Sequence, residues 1–462
     1  MAGEREQGGG GVSAEATRQE VSTEAVVEVW EQMTVPEHVP KDTNMAVDVK
    51  VLTLNIWGIP LLAKDKNARI DAIANQLLTG PDEFDFVFLQ EVWSKEDYHK
   101  IATKVSKVLP HSHYFYSGVI GSGMCTFSRS PIKEVLYHPF ALNGYPHKIL
   151  HGDWWGSKGL AVCRTTRHGI PFTLINLHFH ALYDHKNDTY VHHRAVQAYE
   201  AAQLLRFGHA SEDVVIFSGD LNCTQTDFAY RLVKHNGALI DSYIDSPVKT
   251  PGSNGESNET PANSYTSVKT LMENPCGHRI DYIFYQSSQA YKVKTKVCDQ
   301  PFPQRVPQQE FSFSDHEAVR TVLTITPMKG TEIMEEIPSV QAKTDALLEC
   351  SAVCEQGLKS VGSQQKIYIA LSVLCAIVLL VCHIVICTES SSGVTRGFLG
   401  LLLILFTFCL SYLLFMATIF YRFESNTIKE TKLGIEHQLD ELREKNAQIF
   451  EEERKRSQSF IK

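Results

Sequence analysis

Several short stretches of this chain put a carboxylate, an amide or an imidazole where an apolar run stops. They are Leu54-Asn55-Ile56-Trp57, Phe88-Leu89-Gln90-Glu91, Asn176-Leu177-His178, Ser218-Gly219-Asp220-Leu221-Asn222, Arg279-Ile280-Asp281-Tyr282 and Phe313-Ser314-Asp315-His316. An Asp-His pair alone is an ordinary surface feature. Its neighbours change that reading, because most of the runs have strand length and their polar ends would gather at one rim of a sheet. Carboxylate, amide and imidazole groups so gathered are what metal-assisted phosphoester hydrolysis uses.

The chemistry assigns expected roles. A phosphodiester needs its charge neutralised, a water aimed in line and a leaving oxygen stabilised. Mg²⁺ would neutralise the charge; it takes one or two protein carboxylates and keeps several waters. Glu91 fits that role, and Asn55 is expected to orient Glu91 or to touch the metal. Asp220 and Asn222 lie two apart, so on an extended strand end both would face the same way. Asp220 would take a proton or orient the nucleophilic water; Asn222 would hold water or a phosphate oxygen. His316 is the candidate general base or phosphate-binding imidazole, since an ordinary imidazole titrates near neutrality. How the proton transfer divides between Asp220 and His316 stays open.

The elements that must position these residues follow from periodicity. Val49–Ile56 alternates apolar and polar residues, and Phe84–Leu89 is apolar except for Asp85; both read as strands. Shorter strands are expected around 124–127, 134–137, 159–163, 172–177, 213–217, 279–285, 290–297 and 317–324. Ile70, Ile73, Ala74 and Leu77 mark a helical stripe, and Ser94 caps a second helix. Longer helices are expected at 188–207 and 226–235. Asn236–Met272 is rich in Pro, Gly, Ser, Asn and Thr and reads as a surface insertion or active-site loop. Strands mixed with few helices suit two packed sheets with helices outside.

The order and content of these motifs resemble the endonuclease/exonuclease/phosphatase superfamily, and within it the membrane-anchored, Mg-dependent neutral sphingomyelinases. The narrower resemblance rests on Leu54-Asn55-Ile56-Trp57-Gly58-Ile59-Pro60, Gln90-Glu91-Val92-Trp93-Ser94, Gly118-Val119-Ile120-Gly121-Ser122-Gly123, Leu142-Asn143-Gly144-Tyr145-Pro146 and His151-Gly152-Asp153-Trp154. It implies an α+β fold, a DNase I-like four-layer α/β/β/α sandwich, over residues 47–326. It also implies that Asp281 orients His316, that Asp315 helps hold metal or water, and that His178 donates to a phosphate oxygen. His193 would act directly or bond helix to core. Lys158 would reach the phosphate unless Asp153 holds it away. His180, on the face of His178, leaves a transition-metal site open. Trp154 and Trp155 would stack on quaternary ammonium or touch lipid.

The chain has 462 residues, a formal net charge of −9 and 11 Cys. The acidic balance argues against a nuclease that grips a phosphate backbone over a broad basic face, and no nucleic-acid partner is expected. The cysteines lack zinc spacing, point to a reducing compartment and read as small apolar filler; for Cys350 and Cys354, palmitoylation near the membrane is the lesser reading. Residues 1–46 read as a disordered Gly-rich leader. Residues 327–365 form a linker in which 339–361 would lie on the membrane or act as a spacer helix. Two apolar segments, 367–387 and 397–420, each supply the roughly 20 residues a membrane-crossing helix needs, giving a two-helix transmembrane hairpin within 366–422. Basic residues flank the hairpin on both sides, against one Arg in the joining loop, so the enzyme domain and tail are expected in the cytosol; the resemblance implies the endoplasmic reticulum or a related internal membrane. The charged tail, 423–462, carries Ile428, Ile435, Leu442 and Ile449 every seven residues, but polar alternate positions favour a solvated helix over a coiled coil.

The expected reaction is phospholipase C-type hydrolysis of sphingomyelin to ceramide and phosphocholine, with choline lysophospholipids as further substrates. An inositol-phosphate phosphatase or a nuclease on the same fold, and a catalytically silent membrane scaffold, are the competing readings. The inositol reading would need a basic pocket for a multiply phosphorylated ring, and no motif supplies one. Oligomeric state is not legible.

Overall fold

The computed structural model describes residues 45–81, 83–184, 186–328, 339–387 and 392–459. The expected leader, up to residue 44, lies outside the described residues, as do 329–338 of the linker and 388–391 of the hairpin loop. In chain order the strands are β1 (Val47–Asn55), β2 (Phe86–Gln90), β3 (His111–Phe115), β4 (Met124–Ser128), β5 (Ile132–Pro139), β6 (Gly159–Arg167), β7 (Ile170–His178), β8 (Val214–Asp220), β9 (Ile240–Asp241), β10 (Asp281–Gln286), β11 (Tyr291–Asp299) and β12 (Val319–Pro327). The helices are α1 (Lys66–Thr79), α2 (Lys95–Val105), α3 (Asp153–Gly156), α4 (Val191–Phe207), α5 (Phe228–Asn236), α6 (Ser242–Asp245), α7 (Val268–Glu273), α8 (Val340–Cys387), α9 (Gly393–Phe415) and α10 (Tyr421–Ser459), with one turn of π-helix at Met416–Phe420 between the last two.

The strands form two six-stranded sheets, ordered β11-β12-β1-β2-β4-β3 and β5-β6-β7-β8-β10-β9. Apolar residues on both faces of the central strands explain the layering. In β2, Phe86 and Phe88 point between the sheets and meet Phe172, Leu174, Ile216 and Leu323. Val87 and Leu89 alternate to the other face, where they meet Ile70, Ile73 and Ile101 of α1 and α2. The outer face of the second sheet is covered by α4 and α5. Each sheet contains one parallel pair at its centre, β1 with β2 and β7 with β8. Those four strands therefore end on one rim. Between the sheets, Gln90 Nε2 donates to Asn176 Oδ1 at 2.7 Å, a buried polar bridge just below that rim.

Ser94 does cap α2, its hydroxyl accepting the Asp97 N–H at 3.2 Å. The C-terminal third departs from expectation. Residues 340–387 are one continuous helix, not a linker followed by a separate span. Its first half packs on the enzyme domain, burying Ala346, Leu347, Cys350, Cys354 and Val361. Gly357 permits this approach, since a Cβ there would stand 2.6 Å from His192 Cβ. Burial of Cys350 and Cys354 leaves no thiol for an acyl group, and the Cys350 thiol is pushed well up. The tail is not a solvated helix either. Ile428, Ile435 and Leu442 are buried against the same domain, and the polar Gln438 is buried with them, donating to Tyr199 Oη at 2.8 Å. A Cβ on Gly434 would meet that hydroxyl at 2.3 Å, so glycine sets how closely α10 approaches.

The two helices α8 and α9 are long and apolar enough to cross a membrane. They run antiparallel, with Tyr368 beside Tyr412 and the Cys375 thiol against the Phe406 carbonyl at 3.2 Å.

Candidate active site

The rim is built by backbone that the strands cannot continue. Trp57, Glu91 and Asn222 all have positive φ, at 47°, 59° and 47°. Three non-glycine residues in the left-handed region just past the ends of β1, β2 and β8 hold strain that surrounding contacts must outweigh. At Trp57 and Glu91 those contacts are visible. Gly58 N donates to Glu91 O at 3.0 Å, and the fully buried Arg69 on α1 donates to the carbonyls of Ile56 at 2.7 Å and Trp57 at 2.8 Å.

Two groups of side chains meet here. In the first, Asn55 Nδ2 donates to Glu91 Oε1 at 3.1 Å and to Asp220 Oδ2 at 3.0 Å. Of the two roles left open for Asn55, orienting Glu91 is the one this geometry shows, because its NH₂ and not its oxygen faces the carboxylates. His178 Nε2 stands 3.4 Å from Asp220 Oδ2. In the second group, His316 Nδ1 is 2.8 Å from Asp281 Oδ2, which also accepts the Ser257 hydroxyl at 2.7 Å. Donor atoms of Asp220, Asp281 and His316 lie within 4.8 Å of one another, so the groups share one cleft.

Electrostatics differentiate these acids. Burial would raise the Asp220 carboxyl, but the His178 hydrogen bond and charge outweigh it and hold Asp220 low. Burial raises Asp281. Burial pushes Asp315 up to about 6, against the pull of His316, and the charge of Glu91 adds to the rise. His316 is driven well above the ordinary imidazole value: burial opposes this, but Asp281 at Nδ1 outweighs it, with Asp315 and Asp220 adding.

Glu91 Oε2 is buried without a partner, and Glu91 and Asp315 place negative charge together in a buried site. These are hard oxygen donors, the kind that suits a hard divalent ion. The chemistry of the residues present therefore fits a metal.

Other expectations resolve differently. Asn222 lies past the end of β8, not on an extended pair with Asp220. Its backbone N–H closes a turn onto Asp220 Oδ1 at 2.8 Å and its amide donates to Phe179 O at 3.1 Å. Lys158 is paired with Asp153 at 2.5 Å and donates to that same Phe179 carbonyl at 3.1 Å. Asp153 is held low: burial would raise it, but His180, Lys158 and Tyr183 outweigh that. His180 turns away from His178. Its Nδ1 meets Ala181 O at 2.9 Å, Asp153 lies 3.9 Å from its Nε2, and burial depresses it to about 3. The two do not form a transition-metal pair.

His193 bonds helix to core. Its Nδ1 accepts the Gly144 N–H at 2.9 Å, so Nε2 carries the proton and donates to Glu424 Oε1 at 2.8 Å. His192 Nε2 and the Tyr145 hydroxyl reach the same oxygen at 2.9 and 3.0 Å. With a proton fixed on His193 Nε2, this cluster is a hydrogen-bonded lock, not a metal site.

Ser257, Arg69 and Glu424 escaped the sequence reading. Arg69 carried a signal, an arginine beside Ile70 on the apolar stripe of α1; Ser257 and Glu424 carried none.

The fold and site define a hydrolase of phosphate esters, with two packed sheets and its acids on their shared rim. The profile of the Endonuclease/Exonuclease/phosphatase family matches residues 52–316, from β1 to His316, and the chain belongs to that family. A Drosophila melanogaster protein provisionally named a neutral sphingomyelinase is 39% identical over 319 residues, covering 69% of this chain and 69% of its own. Sphingomyelin phosphodiesterase 2 of Rattus norvegicus is 35% identical over 288 residues, covering 61% of this chain and 66% of that protein. An inositol phosphosphingolipids phospholipase C of Schizosaccharomyces pombe is 31% identical over 316 residues, covering 63% and 73%. The chain spans about two thirds of the length of these relatives.

Proposed function

We propose that the protein is a membrane-anchored, Mg²⁺-dependent enzyme that hydrolyses sphingomyelin to ceramide and phosphocholine at the cytosolic face of its membrane. Choline lysophospholipids are further substrates. The observation that carries this reading is the convergence of two charged pairs, Asn55-linked Glu91 and Asp220 on one side and Asp281–His316 on the other, on one cleft of a chain that also bears two apolar helices. The names of the relatives support the lipid class.

Glu91 would hold the Mg²⁺, with Asp315 beside it; when bound, the ion offsets the charge of the phosphate oxygens. The rest is done by the chain. Asp220, kept charged and fixed by Asn55, His178 and the Asn222 N–H, aims the water and takes its proton as the new phosphorus–oxygen bond forms. The bond from phosphorus to the ceramide oxygen breaks. His316, held protonated by Asp281 at Nδ1, presents Nε2 and returns a proton to that oxygen. The opposite directions in which the site pushes Asp220 and His316 support this division of labour. His178 and Asn222 position Asp220 and the water, and release of Lys158 from Asp153 would give the phosphate a cation.

The test is phosphocholine release from sphingomyelin in detergent micelles by the full chain with Mg²⁺, with EDTA, and with Mg²⁺ for His316→Ala. Release that needs both Mg²⁺ and His316 supports the proposal. No release from folded protein overturns the choline substrate, and the inositol-headgroup sphingolipid, assayed in parallel, then identifies the headgroup. Release that survives His316→Ala overturns the role of that imidazole.

A further inference from the structure

Three loops leave the catalytic rim with large apolar side chains in solvent. The loop after β1 carries Leu61 and Leu62, the loop between β3 and β4 carries Tyr116, Val119 and Ile120, and the loop before α3 carries Ile149 and Leu150. Leu61 and Leu150 are 104% and 95% exposed. Large apolar side chains so exposed, repeated on three loops at one rim, are not incidental to a water-facing surface.

Strand register fixes these loops to the site. The first follows Asn55. The second enters β4 at Met124, and Cys125 pairs with Leu89, two residues before Glu91. The third leads into β6, where Leu160 pairs with Leu177, next to His178. The loops are also tied to each other: Val119 N and Ile120 N donate to Trp155 O at 2.7 and 3.2 Å.

The third loop also touches the apolar hairpin where it meets the domain. Tyr145 lies 6.0 Å from Phe420, the last residue of the second span, and His147 lies 6.5 Å from Tyr368, at the start of the first. Ile149 and Leu150 lie two and three residues after His147. They therefore stand near the level at which the hairpin enters the bilayer. Lys64 and Lys148 flank the leucines, as suits a lipid headgroup layer above an apolar interior.

We propose that these three loops form a docking rim that sits in the interfacial layer of the bilayer that holds the hairpin, so that the cleft opens onto the membrane and takes its substrate from it laterally. This rests on the lipid phosphodiesterase reading, and it commits to a lipid surface as the occupant. Membrane continuity argues for lipid over a protein partner: the apolar spans already place a bilayer beside Ile149 and Leu150.

The experiment uses the full chain reconstituted into phosphatidylcholine–sphingomyelin vesicles. Leu150→Trp is compared with the parent in lipid brominated along its acyl chains. The added fluorescence should be quenched by at least about half, as for a side chain reaching the acyl boundary. An emission of water-exposed wavelength, indifferent to bromine, would overturn the proposal. In parallel, Leu61→Ser/Leu62→Ser should lower turnover of vesicle sphingomyelin at least about tenfold, since it removes apolar area from the membrane contact. Turnover of a water-soluble phosphodiester should stay unchanged. Equal loss on both substrates, or on neither, would count against the rim. Quenching without turnover of any sphingolipid would leave the docking intact and sink the lipid phosphodiesterase reading instead.

Discussion

Replacing Glu424 with glutamine isolates one charge at the join between membrane hairpin and enzyme domain. The side chain keeps its size and its Oε1 can still accept from His192, His193 and Tyr145. What it loses is the charge. Burial would raise the Glu424 carboxyl, but the hydrogen bonds donated by the two histidines outweigh it and hold it at about 2 against an ordinary 4.5. The folded protein thus favours the charged over the neutral carboxyl by about 3 kcal/mol. Glutamine imitates the neutral form, so Glu424→Gln should destabilise by about that much. The new NH₂ would also occupy the place of Oε2, which is buried without a partner, and an unsatisfied donor adds to the loss. At roughly 2–4 °C per kcal/mol for a domain of this size, the apparent Tm should fall by about 6–12 °C. The assay is thermal unfolding of the full chain in detergent micelles at pH 7, followed by tryptophan fluorescence. A folded-state pKa that is depressed contributes stability above the unfolded value and loses it as pH falls. The difference between parent and variant should therefore be full above about pH 5 and narrow as pH falls from about 4.5 to about 2. A shift under about 2 °C at pH 7 would refute the reasoning.

Asp281→Asn should leave the fold in place and lower turnover of sphingomyelin in micelles by about 10³–10⁴, the scale seen when a carboxylate that fixes an imidazole tautomer is neutralised. The same variant should move the His316 limb of the pH–rate profile to lower pH, because burial alone depresses an imidazole; an unmoved limb would assign that limb to another group. Gly434→Val should push α10 off Tyr199 and lower apparent Tm by several degrees, with about 1–3 kcal/mol of overpacking, read in the same melts as Glu424→Gln.

The catalytic rim was legible because its chemistry is local to strand ends. Val214–Phe217 announces β8 as an apolar run, so Asp220 after it reads as a rim residue without any tertiary information. The turn at Asn222 was not legible, because the left-handed backbone there is set by the contact of its amide with Phe179 O, 43 positions away. β3 was missed because His111, Ser112 and His113 are only half buried and carry no apolar alternation. The tail shows the same limit from the other side. Thr431 and Gln438 look like solvent-facing positions, and the partner that makes Gln438 a buried residue is Tyr199, 239 positions earlier. Cys350 and Cys354 read as membrane-proximal thiols until α8 is seen to lie on α4.

The continuous α8 sets how far this enzyme can reach. Its 48 residues extend about 72 Å at 1.5 Å per residue. On the proposed membrane placement, only about 30 Å of that would cross hydrocarbon. The remainder is clamped along the catalytic domain, with Gly357 against His192 at one point and Leu347 buried at another. That packing joins the apolar helix to the catalytic domain directly. On that placement the cleft would be carried at a fixed height, unable to swing out to an apposed bilayer or to sample vesicles in solution. Supply of substrate would then be a two-dimensional problem, set by lateral diffusion of lipid toward each molecule, and each copy would work a patch of its own leaflet as it drifts.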